Sequence, residues 1–204
     1  MHNIKTIIFD LGGVLVDLDP NVSILGFKEL GLLNAHEYLN AYLQKGIFLE
    51  MEEGKLREEE FYDKFRELSV NKNITNEQIA EAWCRQLLSL SEYKLDLLLE
   101  LRKKYKVFLL SNTNRVVAAY YSQHFFTKQG LTIDDYFDQL YVSYKIGCVK
   151  PYRGIFEYLI ADSGINPQEA LFLDDSEKNI ITAKELGFQT YLVRPQEDFR
   201  HLFQ

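Results

Sequence analysis

Asp10 lies in FDLGGVL, Ser111 and Asn112 in LLSNTNR, Lys150 in GCVKP, and Asp174 and Asp175 in LFLDDSEKN. A carboxylate such as Asp10 can attack phosphorus and form an aspartyl phosphate, which divides one difficult hydrolysis into two steps. Carboxylate and phosphate repel each other, so a cation must bridge them. Hard oxygen donors suit Mg²⁺, which keeps several waters and takes one or two carboxylates. Asp10 and one member of the Asp174–Asp175 pair would supply those. Lys150 would neutralise phosphoryl oxygens as a point charge. The Ser111 hydroxyl and the Asn112 backbone N–H would donate hydrogen bonds to the same oxygens. Gly12 and Gly13 would let the chain turn tightly beside them. Each residue alone has a plainer account, because strand-end Asp and Ser often cap the next helix or turn. Four such stretches in this order are hard to explain as caps.

The elements that would position them are short apolar runs: Thr6–Phe9, Val107–Leu110, Leu140–Val142, Leu171–Leu173 and Tyr191–Val193. Each is nearly all apolar, the pattern of a parallel strand covered on both faces. Helical patterns separate the last four. Leu98, Leu101 and Tyr105 share a face; Ile155, Leu159 and Asp162 follow Pro151; Ile180, Ala183 and Leu186 precede Gly187. Strands alternating with helices predict an α/β fold, a doubly wound and mostly parallel sheet. In such sheets ligands bind beyond the carboxyl ends of the strands, where the four stretches fall.

Residues 18–92 interrupt this alternation. They contain no convincing strand, while Phe61, Phe65 and Leu68, and likewise Ile79, Trp83 and Leu87, fall on helical faces. Thr75 or Asn76 could cap the second of these helices. A simple crossover needs only one helix. The expectation is therefore an inserted all-helical cap at 18–92, with 1–17 and 93–204 forming the core.

The 204 residues suit one domain or one domain with a large insertion. A hydrophobic fraction of 47% with 26% charged residues is an ordinary globular balance, so a packed core is expected. No stretch is long and apolar enough to span a bilayer. The net charge of −7 argues against a broad nucleic-acid surface. Cys84 and Cys148 form no framework, which points to a reducing, cytoplasmic setting. Oligomeric state is not legible.

The four motifs resemble those of the haloacid dehalogenase-like hydrolase superfamily, and the resemblance covers the whole chain, helical cap included. It is nearest to small sugar-phosphate phosphatases with FDLGNVL-type first motifs. It implies a magnesium-dependent phosphatase for a small phosphomonoester, with Asp10 as nucleophile and metal ligand. The Gly12 carbonyl and Asp175 would complete the metal site. Ser111, Asn112 and Lys150 would hold phosphate, and Asp174 and Asn179 would support the metal-site groups. One position departs from the pattern. Most phosphatases of the superfamily carry a second aspartate two residues after the nucleophile, which protonates the leaving oxygen and later activates water. Here that residue is Gly12. Asp17, Glu50, a water or the substrate would have to serve instead, although Asp17 also reads as a turn residue before the cap.

Two rivals follow from that departure. A 2-haloacid dehalogenase also lacks the second aspartate, but needs no metal and gives no reason for adjacent acids near the nucleophile. A binding or regulatory protein on a weakened catalytic scaffold would tolerate Gly12, but has no use for an intact nucleophile, metal acid and lysine. The remaining chemistry-bearing residues have plainer accounts. His2, His36, His124 and His201 read as surface or satisfied core residues, and Cys148 as a small buried thiol. The acidic run MEEGKLREEE reads as a solvated helix start and turn. The aromatic faces of Phe61, Phe65 and Trp83 read as core.

Overall fold

The computed structural model describes residues 3–40 and 44–203, so His2 lies outside the described residues. The chain opens with β1 (Thr6–Phe9), β2 (Val16–Leu18) and α1 (Pro20–Leu30). Then come α2 (Gly46–Glu52), α3 (Glu58–Leu68), α4 (Asn76–Cys84) and β3 (Leu87–Leu90). It continues through α5 (Glu92–Arg102), β4 (Lys106–Ser111), α6 (Arg115–His124), α7 (Ile133–Tyr136), β5 (Gln139–Val142) and α8 (Ser143–Ile146). It ends with α9 (Arg153–Ser163), β6 (Ala170–Asp174), α10 (Glu177–Glu185) and β7 (Gln189–Leu192).

Five strands form one sheet in the order β5-β4-β1-β6-β7, every pair parallel. The all-apolar runs are explained by two cores, one on each face. Ile7, Phe9, Leu109 and Leu173 point into one; Ile8, Phe108, Leu110 and Phe172 point into the other, against Ile155, Leu159 and Ile180. The five predicted strands are present: β1 has its predicted bounds, β4, β5 and β6 are longer by a residue at one or both ends, and β7 lies earlier than expected, so Val193 falls beyond it. β1 lies at the sheet centre, with Phe9 level with Leu109 on one side and Leu173 on the other. That register brings the residues after β1, β4 and β6 to one edge. Asp10 is fixed there by its own backbone N–H, which donates to the Leu173 carbonyl at 2.9 Å.

The segment between β1 and β4 is helical, with one correction. Leu87–Leu90 is a strand, paired antiparallel with Val16–Leu18, whereas no strand was expected between 18 and 92. Helix α4 stops at Cys84, so Leu87 does not continue the Ile79–Trp83 face. Leu68 is exposed, unlike Phe61 and Phe65. Thr75, not Asn76, caps α4, accepting from the Gln78 N–H at 3.2 Å. The two-stranded ribbon is tied to α5. Buried Lys94 donates to the Leu15 carbonyl at 3.1 Å and lies 3.7 Å from Asp17, and the Ser89 hydroxyl donates to Asp17 at 2.7 Å.

Phe48 centres the aromatic core of this segment. Its ring lies 5.3 Å from Phe27, 5.3 Å from Phe61 and 5.0 Å from Trp83, mostly edge-on or tilted. Phe48→Ala is expected to cost about 3–5 kcal/mol of stability, read from urea unfolding. The sheet strands around Phe9 should be affected less than α1 to α4, which hydrogen exchange would resolve.

Candidate active site

Lys150 is the centre of the strand-end cluster. Its ammonium is buried and lies 2.7 Å from Asp10 Oδ1 and 2.7 Å from Asp174 Oδ2. The loop holding it is locked to β4 by Asn112. The Asn112 Nδ2 donates to the Lys150 carbonyl at 2.8 Å, and the Lys150 N–H donates to Asn112 Oδ1 at 2.7 Å. The Asn112 side chain is thus spent on positioning the lysine, which leaves its backbone N–H as the Asn112 group to consider for phosphate. Ser111 is buried, and among the described residues its hydroxyl makes only a long 3.4 Å contact with the Asn112 carbonyl.

Asp174 is fully enclosed. Its Oδ1 accepts from the Ser176 N–H at 2.8 Å and Asn179 Nδ2 at 2.9 Å; its Oδ2 accepts from Asn179 at 3.0 Å as well as from Lys150. Asp175 is half-buried and takes none of these donors. Carboxylate oxygens of Asp10, Asp174 and Asp175 all lie within 4.8 Å of one another. Since Asp174 is saturated by protein donors, Asp10 and Asp175 are the pair left for a cation. The backbone beside them is shaped for close approach. Gly13 has φ +75°, and a Cβ there would sit 2.2 Å from an Asp175 carboxylate oxygen. Magnesium therefore fits the donor set, which is hard oxygen throughout.

The electrostatics agree. Burial pushes the Asp10 carboxyl up to about 7; Lys150 opposes this, while Asp174 and Asp175 add to it. Burial, with Asp174 next, pushes Asp175 up to about 6. Burial alone would lower Lys150, but Asp10 and Asp174 overcome it and hold the lysine above its ordinary value.

A cavity over these groups is lined by Asp10, Gly12, Ser111, Asn112, Lys150 and Asp175 from the sheet edge, and by Glu52, Trp83, Gln86 and Leu87 from the inserted segment. Every sequence-predicted site residue except Asp174 and Asn179 lines it, and those two lie behind Lys150. The family model for haloacid dehalogenase-like hydrolases matches residues 4–187. The chain belongs to the haloacid dehalogenase-like hydrolase family. It is 43% identical over 197 residues to a D-ribitol-5-phosphate phosphatase of Bacteroides thetaiotaomicron, covering 97% of this chain and 95% of that one. It is also similar to a haloacid dehalogenase family enzyme of Bacteroides thetaiotaomicron solved with magnesium and inorganic phosphate. That match has TM-score 0.92 and 41% identity, over 98% of this chain and all of the other. A predicted HAD-like family hydrolase of Porphyromonas gingivalis matches with TM-score 0.91 and 39% identity, over 98% and 96% of the two chains.

The second aspartate expected of most phosphatases in this superfamily is Gly12 here, and the structure shows what stands in its place. A Cβ on Gly12 would lie 2.3 Å from the Leu18 Cδ1. Leu18 occupies the volume. Two expected substitutes are committed elsewhere: Asp17 to Ser89 and Lys94, and Glu50 to Lys64 at 3.3 Å. Sequence reasoning missed Glu52, which it placed in a solvated acidic run. Glu52 is buried and lines the cavity. Its signal was available: it falls four residues after Phe48, on the face of α2 that turns inward.

Two outcomes test the cluster. Magnesium must displace protons from Asp10 and Asp175, whose pKa values are raised, so its affinity should fall as pH drops through about 7 and about 6. The magnesium-induced rise in melting temperature should be large at pH 8 and nearly absent at pH 5.5. Lys150→Met leaves Asp10 and Asp174 buried without their ammonium. It should cost about 3–5 kcal/mol at pH 8, and the deficit should shrink as pH falls through about 7 and Asp10 protonates, read from urea unfolding without metal.

Proposed function

We propose that this chain hydrolyses D-ribitol 5-phosphate or a closely similar acyclic sugar phosphate, through an aspartyl phosphate on Asp10. The chain is a magnesium-dependent phosphoric monoester hydrolase. What carries the substrate class is the 43% identity to a D-ribitol-5-phosphate phosphatase, which runs through the inserted segment as well as the sheet edge. Residues 18–92 act as a cap over a core of 1–17 and 93–204, supported by the cavity lined from both. The two free cysteines and the net charge of −7 support a cytoplasmic enzyme without a nucleic-acid partner.

Asp10 attacks phosphorus from the end of β1, where neighbouring strands hold its backbone. Lys150, between Asp10 and Asp174, is close enough to the nucleophile to neutralise a phosphoryl group bound against it. Ser111 and the Asn112 N–H donate to phosphoryl oxygens, and Asp174 holds the lysine in place. Asp10, the Gly12 carbonyl and Asp175 would hold magnesium, which would supply positive charge that favours ionised Asp10 and offsets the phosphate. In the second step water attacks the aspartyl phosphate, and the phosphorus–oxygen bond to Asp10 breaks.

Released phosphate from D-ribitol 5-phosphate with Mg²⁺ is the test. Turnover is expected for the native chain, and a loss of about a thousandfold or more for Asp10→Asn. Equal rates in the two proteins would remove Asp10 from the chemistry.

A further inference from the structure

We propose that Glu52, carried by the inserted segment, is the general acid and base of this enzyme, replacing the aspartate that Gly12 cannot supply. The inference rests on the phosphatase reading and extends it to the proton.

The geometry narrows the choice. An alkyl phosphate leaves as an alkoxide unless a proton arrives in the transition state, so a donor is needed beside the nucleophile. Among the described residues lining the cavity, the carboxyls are Asp10, Asp175 and Glu52. Asp10 is the nucleophile, and Asp175 faces the metal site beside Gly13. Glu52 is the last residue of α2, 7% exposed, and its carboxyl makes no hydrogen bond or ion pair among the described residues. A carboxylate ionised in such a place would be costly. The groups that bear on it are Lys150 and Asp10 from the sheet edge and Glu53 beside it. Lys64 of α3 is taken by Glu50, and Lys145 of α8 lies over the Tyr144 ring. Burial dominates and pushes Glu52 up to about 8. At neutral pH it is therefore a neutral acid with a proton to give.

The steps balance. A carboxylate oxygen of Asp10 bonds to phosphorus while the bond from phosphorus to the sugar oxygen breaks. The electron pair goes to that oxygen, which takes the proton from Glu52 and departs as the alcohol. Glu52, now a carboxylate, takes a proton from water as the water oxygen bonds to phosphorus. The bond from phosphorus to Asp10 breaks, its pair returns to Asp10, and Glu52 is again an acid. The net change is phosphomonoester plus water to alcohol plus phosphate.

Leaving-group dependence tests this, because p-nitrophenolate departs without a proton and an alkoxide does not. With Mg²⁺, Glu52→Gln should lower kcat/KM for D-ribitol 5-phosphate by about a hundredfold to ten-thousandfold. For p-nitrophenyl phosphate the loss should stay under about tenfold. The native kcat/KM for the sugar phosphate should fall as pH rises through about 8; the variant should lack that limb. Glu52→Asp, which keeps an acid, should recover part of the sugar-phosphate rate. If Glu52→Gln does not fold, the native protein alone decides: the alkaline limb should appear with the sugar phosphate and be absent with the aryl phosphate. Equal losses on both substrates, or the same alkaline limb for both, would overturn the role of Glu52 and leave the phosphatase intact. Hydrolysis of neither phosphate by the native protein above the Asp10→Asn level would instead overturn the phosphatase reading, and the role of Glu52 with it.

Discussion

One buried ammonium facing three carboxylates is the constraint on which the rest of the structure depends. Lys150 answers one negative charge, and Asp10, Asp174 and Asp175 bring three to within 4.8 Å. Each like-charge pair at that separation costs roughly 3 kcal/mol or more at an effective dielectric of about 20. Two negative charges remain, and a divalent cation matches them. The protein resolves the imbalance unevenly. Asp174 receives the Ser176 N–H and the Asn179 amide and shares the Lys150 ammonium with Asp10, so it stays in place as the anchor of Lys150. Asp10 and Asp175 are left with protons or metal. Burial holds the Asp10 carboxyl up at about 7, so a bound cation would favour its ionised form, and on the proposed reading this ties the nucleophile's reactivity to the ion that also draws in phosphate.

The sheet holds that imbalance because it is rigid where the charges meet. Asp10 and Asp174 end neighbouring parallel strands whose side chains fill two apolar cores. Neither backbone can retreat without opening a ladder bond. The Asn112 clamp does the same for the lysine, gripping both the N–H and the carbonyl of Lys150. The turn at Gly13 admits Asp175 only because no side chain stands there.

Much of this was legible in the sequence because parallel strands leave a strong mark. Buried on both faces, they read as unbroken apolar runs, and the polar residues that follow them stand out. What escaped detection lacked a local signature. Leu87–Leu90 pairs with Val16–Leu18 across some seventy residues, and Leu87 sits at helical spacing from Trp83, so the period misled. Leu68 has the spacing of Phe61 and Phe65 but falls at the last turn of α3, beyond its packed face. Glu52 was hidden by composition: surrounded by acids that are solvated, it looked like one of them, while α2 turned it inward beside Phe48.

The exchange of Gly12 for an acid on the nucleophile's own loop changes what the inserted segment does. A donor fixed on the sheet edge would be present whether or not the helices covered the site. With Leu18 filling that volume, the cavity carboxyl left over from nucleophile and metal site is on α2, which packs through Phe48 into the aromatic core of the segment that also supplies Trp83 and Gln86 to the cavity. On the proposed cap reading, covering the substrate, excluding water and delivering the proton become one event. Specificity follows from the same coupling. A phosphate whose organic part prevents α2 from seating would bind to Lys150 and the metal, yet its leaving oxygen would wait for a proton.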